Sequence, residues 1–296
     1  MKRPTKAIIP AAGFGTRFLP QTKAMPKEMM PLIDKPIIQY VVEELVEAGI
    51  KDIIIVGSSN KRAIEDHFDV PNEDLLANLR AGGEKKQPFI DMIQNIANLA
   101  NFIYVRQKGP YGNATPLLSA AHLIGDEPFV YTWADDFFTP EANSTRQMID
   151  VYEQYQGGVF ACVRASTDDD YERYGFAAGD EISEHLISMR SIVEKPGKAN
   201  APSALASVSG YLLPAELLRY IEQAAESHDE NSGEFTFQPF VQQMIDSGHH
   251  FYAKEIEGGR FYDTGNPLEY LKTVVDFGLR DSKMGEEFAK YLQTRV

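Results

Sequence analysis

The stretch at residues 13–28 is the part of the chain best suited to chemistry, because it combines glycines with positive charge. Gly13 and Gly15 directly follow an apolar run, and glycine lets backbone N–H groups approach a phosphate closely. Three cations come after them: Arg17, Lys23 and Lys27. Cations spaced along an extended loop can hold successive phosphates, so the stretch predicts a polyanion-binding loop. Taken alone, it also fits an ordinary Gly-Pro surface loop with solvated cations.

Two well-known phosphate-binding motifs do not describe this loop. The Walker motif needs a glycine followed directly by Lys and then by Ser or Thr, and that order occurs nowhere in the sequence. The dinucleotide fingerprint needs a third glycine that opens a helix, but Phe18 stands in its place. Pro20 and Pro26 also prevent an immediate helix. The sequence therefore argues against a P-loop nucleoside triphosphatase and against a nicotinamide-dependent oxidoreductase.

The charge of the chain is unevenly distributed. The formal net charge is −14 at pH 7, from 29 Lys and Arg against 43 Asp and Glu. Residues 1–35 nevertheless carry a net charge of +5, which leaves −19 on the rest of the chain. An acidic body repels a nucleic-acid backbone and an anionic membrane surface, so neither is expected as a partner. A basic segment in an acidic body is instead suited to a small, highly charged anion.

Cysteine content and the start of the chain bear on the cell compartment. The chain has one cysteine, Cys162, which excludes an internal disulfide and a cysteine-rich zinc site, and its apolar stretch predicts an inert core residue. The apolar run at residues 7–13 is short and interrupted by Pro10, which is not typical of a signal peptide. No window reaches the roughly 18 apolar residues of a membrane-spanning helix. We therefore expect a reduced, cytoplasmic protein.

Strands and helices are predicted to alternate over the first 165 residues. Strands are predicted at residues 6–11, 52–56, 102–105, 129–133 and 159–163. Helices are predicted at residues 37–48, 61–68, 89–99, 116–123 and 144–156. This alternation predicts an α/β fold with a Rossmann-like, mixed but mostly parallel sheet and helices on both faces.

The second half of the sequence is richer in strands. Strands are predicted at residues 187–193, 204–213 and 251–255, and helices at 215–225, at 237–247 and over the last 30 residues. We predict one domain over residues 1–296, with a strand-rich insertion at 166–265 and a helical tail at 266–296. An apolar stripe on the tail indicates a packing or oligomer face, consistent with a homodimer or homotetramer: Leu268, Leu271, Val275 and Leu279.

The loop at the start of the chain resembles that of a known family. Residues 13–40 read GFGTRFLPQTKAMPKEMMPLIDKPIIQY, and this run is similar to the signature of bacterial UTP–glucose-1-phosphate uridylyltransferases, within the sugar-nucleotidyltransferase superfamily. The resemblance continues through five further stretches: 50–68, 105–107, Asp135, Val193-Glu194-Lys195-Pro196 and Tyr262-Asp263-Thr264-Gly265-Asn266. It covers approximately residues 5–290, which is most of the chain.

The resemblance implies a reaction between UTP and glucose 1-phosphate that gives UDP-glucose and pyrophosphate. The nucleophile is a phosphate oxygen, and with a second pKa of about 6 a phosphate monoester is mostly dianionic at pH 7, so no general base is required. The difficulty is repulsion between two polyanions, since like unit charges 4 Å apart repel by about 4 kcal/mol at an effective dielectric constant near 20. Cations and a bound Mg²⁺ would offset that repulsion and align the attack.

The resemblance also implies roles for individual residues. The triphosphate is contacted by Arg17 and Lys27, and the phosphate of the sugar by Lys195. The sugar hydroxyls are contacted by Gly175 and Glu194. The nucleotide pocket comprises Ala11, Ala12, Gly13, Gly15, Thr16, Gln107 and Gly112. The Mg²⁺ ligands are Asp135 and Asp263. Residues 1–165 then form mainly the nucleotide-binding half and 166–265 mainly the sugar-binding half.

Several of these residues have simpler explanations when taken alone. Asp135 follows a strand and Asp263 precedes a Thr-Gly-Asn turn, where aspartates are common for structural reasons. Lys195 would be a solvated loop lysine. The acidic run at residues 168–170 is interpreted as a solvated loop, and the histidine pair at 249–250 as structural.

The sequence departs from the family pattern at four places. They are Gly112-Asn113-Ala114-Thr115, Thr132-Trp133, Ser209-Gly210-Tyr211 and Phe235-Thr236-Phe237-Gln238-Pro239. The first is next to the base-reading residues and the last two are expected on the sugar side. Two alternatives to UDP-glucose synthesis therefore stay open. One is the same chemistry with another nucleotide or sugar, as in a thymidylyl- or cytidylyltransferase. The other is a catalytically weak regulatory paralogue that binds nucleotide-sugars.

Overall fold

A computed structural model of the protein describes residues 2–229 and 233–295. Its strands are β1 Lys6–Ala11, β2 Pro31–Leu32, β3 Lys35–Pro36, β4 Asp52–Gly57, β5 Asn101–Arg106, β6 Phe129–Tyr131, β7 Asp136–Phe138, β8 Gly158–Arg164, β9 Gly175–Ser183, β10 Leu186–Glu194, β11 Leu205–Leu213, β12 Phe251–Glu255 and β13 Phe261–Asp263. Its helices are α1 Ile37–Glu47, α2 Arg62–Phe68, α3 Glu73–Ala81, α4 Gln87–Ala97, α5 Thr115–Ile124, α6 Ser144–Tyr155, α7 Asp170–Arg173, α8 Glu216–Ala225, α9 Gln238–Asp246, α10 Pro267–Arg280 and α11 Gly285–Gln293.

The main sheet is the frame on which the other elements are arranged. Its strand order is β5-β4-β1-β6-β11-β8-β12-β10-β9. Among the strands described, seven of these nine run in one direction, and β10 and β11 run in the other. The predicted mixed, mostly parallel sheet is therefore confirmed. Strands from both halves of the chain belong to this one sheet, since β11 lies between β6 and β8.

Apolar residues cover both faces of the sheet, as an α/β fold requires. In β1 the residues Ala7, Ile8 and Ile9 are all 0% exposed, because a central parallel strand has neighbours on both faces. Helices α1 and α6 pack on one face, and α5, α8 and α9 pack on the other. Cys162 is buried within β8, as predicted, and burial raises the pKa of its thiol, which keeps it unreactive.

The C-terminal helices pack on the first half of the chain through aromatic residues. Phe277 of α10 contacts the rings of Tyr40 and Phe137, and the Tyr270 hydroxyl donates to the Pro31 carbonyl at 2.9 Å. The predicted apolar stripe lies mostly on the opposite side of α10, and its three leucines are exposed: Leu268, Leu271 and Leu279. The stripe therefore does not provide the packing on this chain, and its use as an oligomer face stays a prediction. The domain boundaries at 165 and 265 also stay predictions.

Most predicted elements agree with the observed ones to within two residues. Predicted bounds are lacking for β9, for the helices α3 and α7, and for the short strands, above all β7 and β13, which pair with each other outside the main sheet. In the part of the chain that the structure describes, no helix is long and apolar enough to cross a membrane.

A buried ion pair fixes the loop that follows β1. Lys61 Nζ, just after β4, contacts both carboxylate oxygens of Glu28, at 2.8 and 3.1 Å. Lys61 is 2% exposed and Glu28 is 1% exposed. Glu28 directly follows Lys27, so the pair determines where the Lys27 backbone lies. A buried pair of this kind is a weak source of stability, but the loss of one partner leaves an unpaired buried charge.

We expect Lys61→Met to lower the free energy of unfolding by about 3–5 kcal/mol, because it leaves the Glu28 carboxylate buried without a counter-ion. The matched control is Lys290→Met, which breaks an exposed pair with Glu286 one helical turn away and should cost about 0.5 kcal/mol or less. Urea denaturation of both variants measures the difference. Similar losses in the two variants would contradict the role given to the buried pair.

Candidate active site

A cleft of about 750 Å³ lies at the carboxyl ends of the parallel strands, where open α/β sheets bind ligands. The loops after β1 and β5 form much of its wall. It is lined by ten of the residues selected from the sequence: Ala12, Gly13, Gly15, Thr16, Arg17, Lys27, Gln107, Gly112, Asp135 and Asp263. The other four do not line it: Ala11 is buried at the end of β1, and Gly175, Glu194 and Lys195 belong to the β9–β10 hairpin.

The loop after β1 is held against the turn that follows β13. It contains three single 3₁₀ turns and no α-helix, as its prolines predict. The Thr22 hydroxyl donates to the Gly15 carbonyl at 2.8 Å, which closes the loop on itself. Arg17 Nη1 donates to the Gly265 carbonyl at 3.3 Å. The guanidinium is therefore close to the turn that carries Asp263.

Two carboxylates of the cleft are brought together by the small β7–β13 sheet. Asp263 is opposite Asp136 in its register, and Thr264 N donates to the Asp135 carbonyl at 3.1 Å. At Gly265 a Cβ would lie 3.0 Å from Asp135 Oδ2 and 3.2 Å from Asp263 Oδ1. The two oxygens consequently face one small space, which a glycine at position 265 leaves open.

Each of these carboxylates has a cationic partner. Lys27 Nζ contacts Asp135 Oδ2 at 2.5 Å, and Arg173 Nη2 contacts Asp263 Oδ2 at 2.7 Å. Burial alone would lower the pKa of Lys27, but the adjacent Asp135 carboxylate outweighs it and the pKa is raised, so the lysine stays cationic at neutral pH. Burial raises the pKa of Asp136 well above its usual range, and the neighbouring Asp135 and Asp263 carboxylates raise it further.

The arrangement of Asp135 and Asp263 fits a hard divalent cation. In residues 2–229 and 233–295 no group of three or more His, Cys, Asp and Glu side chains is arranged to hold a metal ion. A cation at this pair would therefore take its remaining ligands from water and from a bound phosphate. Mg²⁺ is commonly bound in this way, through one or two carboxylates together with substrate phosphates and water.

The residues predicted for the sugar side form the end of the β9–β10 hairpin. Gly175 pairs with Glu194, and Glu194 Oε1 lies 2.8 Å from the position that a Cβ on Gly175 would occupy. Lys195 has φ of 45°, a left-handed conformation that costs a non-glycine residue about 1–3 kcal/mol. Its backbone N–H donates to the Tyr174 carbonyl at 3.0 Å. Strain of this kind is often kept at functional positions, which supports a role for this lysine.

The residues predicted to read the base are held by backbone contacts. Gln107 N donates to the Gly57 carbonyl at 2.9 Å, which joins the loop after β5 to the end of β4. Gly112 has φ of 145°, and a Cβ there would lie 2.2 Å from the Phe235 carbonyl oxygen, so no other residue fits. The side chain of Asn113 accepts from Phe237 N at 2.9 Å.

The four departures from the family pattern meet in one cluster beside the cleft. The Tyr131 hydroxyl donates to the Asn113 carbonyl at 2.7 Å, and Trp133 N donates to Ser209 Oγ at 3.0 Å. Four aromatic rings contact one another at centroid distances of 5.0–6.2 Å: Tyr131, Trp133, Tyr211 and Phe237. Departures that are as far apart in sequence as 113 and 237 are therefore one packing unit.

Arg173 and Asp136 are site residues that the sequence analysis did not select. Arg173 ends the short helix α7 and contacts a carboxylate 90 residues away. Its only local signal is that it comes two residues before Gly175, which the resemblance had selected. Asp136 could have been included from its position next to Asp135.

Comparison with known proteins identifies the family to which this chain belongs. A sequence model of the nucleotidyl transferase family matches residues 6–277. The UTP–glucose-1-phosphate uridylyltransferase of Bacillus subtilis is 39% identical over 293 residues, covering 99% of this chain and 97% of that protein. The enzyme of the same name from Staphylococcus epidermidis is 40% identical over 294 residues, covering 99% of each.

Solved structures lead to the same family. UDP-glucose pyrophosphorylase from Acinetobacter baumannii has a TM-score of 0.85 at 32% identity, with 99% of this chain and 100% of that chain covered. The UTP-bound enzyme from that organism has a TM-score of 0.84 at 33% identity, with 98% and 99% covered. The chain therefore belongs to the nucleotidyl transferase family and groups there with UTP–glucose-1-phosphate uridylyltransferases, as the resemblance of residues 13–40 implied.

Proposed function

We propose that this protein transfers a uridylyl group from UTP to glucose 1-phosphate and so produces UDP-glucose and pyrophosphate. The observation that carries the proposal is the convergence of Arg17 and Lys27 with Asp135 and Asp263 at one wall of the cleft. Cations for a triphosphate and carboxylates for a divalent cation are the parts that this reaction needs. The activity named for the relatives that are 39–40% identical over almost the whole chain supports the same assignment.

The chemistry is an in-line displacement at phosphorus. An oxygen of glucose 1-phosphate attacks the α-phosphorus of UTP, a new P–O bond forms, and the bond to the β-phosphate oxygen breaks as pyrophosphate leaves. Because the attacking phosphate is mostly a dianion at pH 7, no proton has to be removed from it. Catalysis then depends on alignment and on neutralising charge.

Residues of this chain supply that neutralisation from two sides. Arg17 and Lys27 would contact the triphosphate, and the raised pKa of Lys27 keeps its charge available at neutral pH. Asp135 and Asp263 would hold Mg²⁺, which when bound supplies a Lewis acid at the phosphate oxygens. Lys195 would receive the phosphate of the sugar. The backbone N–H of Lys195 donates a hydrogen bond to the carbonyl of Tyr174. Tyr174 directly follows Arg173, which forms the ion pair with Asp263.

One observation favours a variation of substrate. The four departures from the family pattern form one cluster at the cleft, so the same chemistry with another nucleotide or sugar is the second candidate.

Assembly as a homodimer or homotetramer and a cytoplasmic location stay predictions of the sequence. The exposed leucines of α10 support the first, and the buried thiol of Cys162 agrees with the second.

Pyrophosphate release with Mg²⁺ tests the proposal directly. Each of four nucleoside triphosphates is combined with glucose, galactose and N-acetylglucosamine 1-phosphates. We expect release with UTP and glucose 1-phosphate. Release with another pair would keep the mechanism and change the substrate, and no release from any pair, together with binding of UDP-glucose, would favour a regulatory binding protein.

Replacement of Lys195 by glycine should separate stability from function. We expect Lys195→Gly to keep the free energy of unfolding within about 1 kcal/mol of the wild type, because glycine accepts the positive φ without strain. The same variant should lose at least about tenfold in kcat/KM for glucose 1-phosphate, since one hydrogen bond to a charged phosphate is worth about 1.5–3 kcal/mol. Lys198→Ala, which removes an exposed lysine three residues away, is the control and should retain the wild-type value.

Replacement of Gly265 by alanine should weaken cation binding. The backbone at Gly265 is not left-handed, so alanine is tolerated there, but its Cβ would enter the space faced by Asp135 Oδ2 and Asp263 Oδ1. We expect the affinity for Mg²⁺ in the presence of UTP to fall by about 10- to 100-fold.

Titration with Mn²⁺, followed by electron paramagnetic resonance of the free ion, measures this binding independently of turnover. Asp168→Asn is the control, because Asp168 is a solvent-exposed aspartate paired with Lys198, and it should bind Mn²⁺ as the wild type does. Equal affinities for Gly265→Ala and the wild type would exclude a cation at the Asp135–Asp263 pair.

A further inference from the structure

Two large aromatic side chains line the cleft and yet are strongly exposed. Tyr111 is 79% exposed and Phe14 is 69% exposed, and both contribute to the wall of the same cavity. Rings exposed within a concave surface mark a place where a ligand replaces solvent. Their position in the predicted nucleotide pocket, beside Gly112 and between Gly13 and Gly15, makes the nucleotide the ligand to consider.

The exposed ring of Tyr111 is carried by a fixed backbone. Phe235 N donates to the Tyr111 carbonyl at 2.7 Å, and Ala114 N donates to the Phe235 carbonyl at 2.9 Å. The Thr115 hydroxyl donates to the Pro110 carbonyl and so ties the loop on its other side. Gly112 lies so close to the Phe235 backbone that a Cβ would not fit between them. The backbone of Tyr111 is therefore set before any ligand binds, and its exposed side chain lines the cavity.

Phe14 reaches the cavity from the loop of a different strand. It follows β1, whereas Tyr111 follows β5, and β4 lies between these two strands in the sheet. Neighbouring strands are about 4.8 Å apart, so the ends of β1 and β5 are about 10 Å apart. That separation leaves room for a flat heterocycle between the two loops.

We propose that Tyr111 is a stacking platform for the base of the nucleotide, with Phe14 forming the opposite wall. This inference rests on the proposed function, because it concerns the same nucleotide. Stacking uses the face of the base and leaves its polar edge to Gln107 and the loop backbone. Tyr111 therefore contributes affinity for any nucleotide, and it does not by itself distinguish one base from another.

The test measures the dissociation constant of UTP by isothermal titration calorimetry with Mg²⁺ present. We expect Tyr111→Ala to weaken UTP binding by about 5- to 150-fold, the range found when an aromatic partner of a base is removed. Tyr111→Phe keeps the ring and should bind UTP within about twofold of the wild type, since stacking does not need the hydroxyl. Phe89→Ala removes a half-exposed ring on α4, away from the cleft, and should leave UTP binding unchanged. Inorganic tripolyphosphate, which has no base, should bind Tyr111→Ala and the wild type equally.

Two results would overturn the inference. One is wild-type affinity of Tyr111→Ala for UTP. The other is an equal loss in Tyr111→Phe and Tyr111→Ala, which would assign the effect to the hydroxyl. In either case pyrophosphate release by the wild type would still support the proposed function. A wild type that binds UTP without releasing pyrophosphate would contradict the proposed function and leave the stacking platform standing. Because Tyr111 is so exposed, its loss leaves the core intact, and circular dichroism checks this in each variant.

Discussion

Charge compensation inside the cleft is the constraint on which the rest of this structure depends. Asp135 is buried and three further charged groups are half-buried beside it, and the four form the pairs Lys27–Asp135 and Arg173–Asp263, so that each has a partner. Distant parts of the chain hold these groups in position. The buried Glu28–Lys61 pair fixes the loop that carries Lys27, and the β7–β13 sheet aligns the two aspartates.

The paired charges make the cleft close to neutral without ligand and ready for ligands of both signs. On the proposed reaction, a triphosphate needs cations and a divalent metal needs carboxylates. When both enter together, each charged side chain exchanges one oppositely charged partner for another. No group passes through an unpaired buried state, which would be costly. Because the remaining surface has a strong net negative charge, the positive charge that a triphosphate needs has to come from side chains of the cleft itself.

The sequence predicted the features that depend on neighbouring residues. The first strands and helices followed from apolar periodicity, and the non-helical loop after β1 followed from Pro20 and Pro26. The aspartate pairing could not be derived in this way, because β7 and β13 have only three residues each and lie more than 100 residues apart. Arg173 was missed for the same reason. The common location of the four departures also required the folded chain, since only packing joins residues so far apart in sequence.

One of these departures gives the protein a spectroscopic probe of its own. Trp133 is the only tryptophan in the sequence, and its indole lines the cleft and contacts the rings of Tyr131 and Tyr211. Light emitted by the protein on excitation of tryptophan therefore originates at a single position beside the two aspartates. A change in the colour or intensity of that emission reports events in the cleft without any label, and the rest of the molecule adds no tryptophan background.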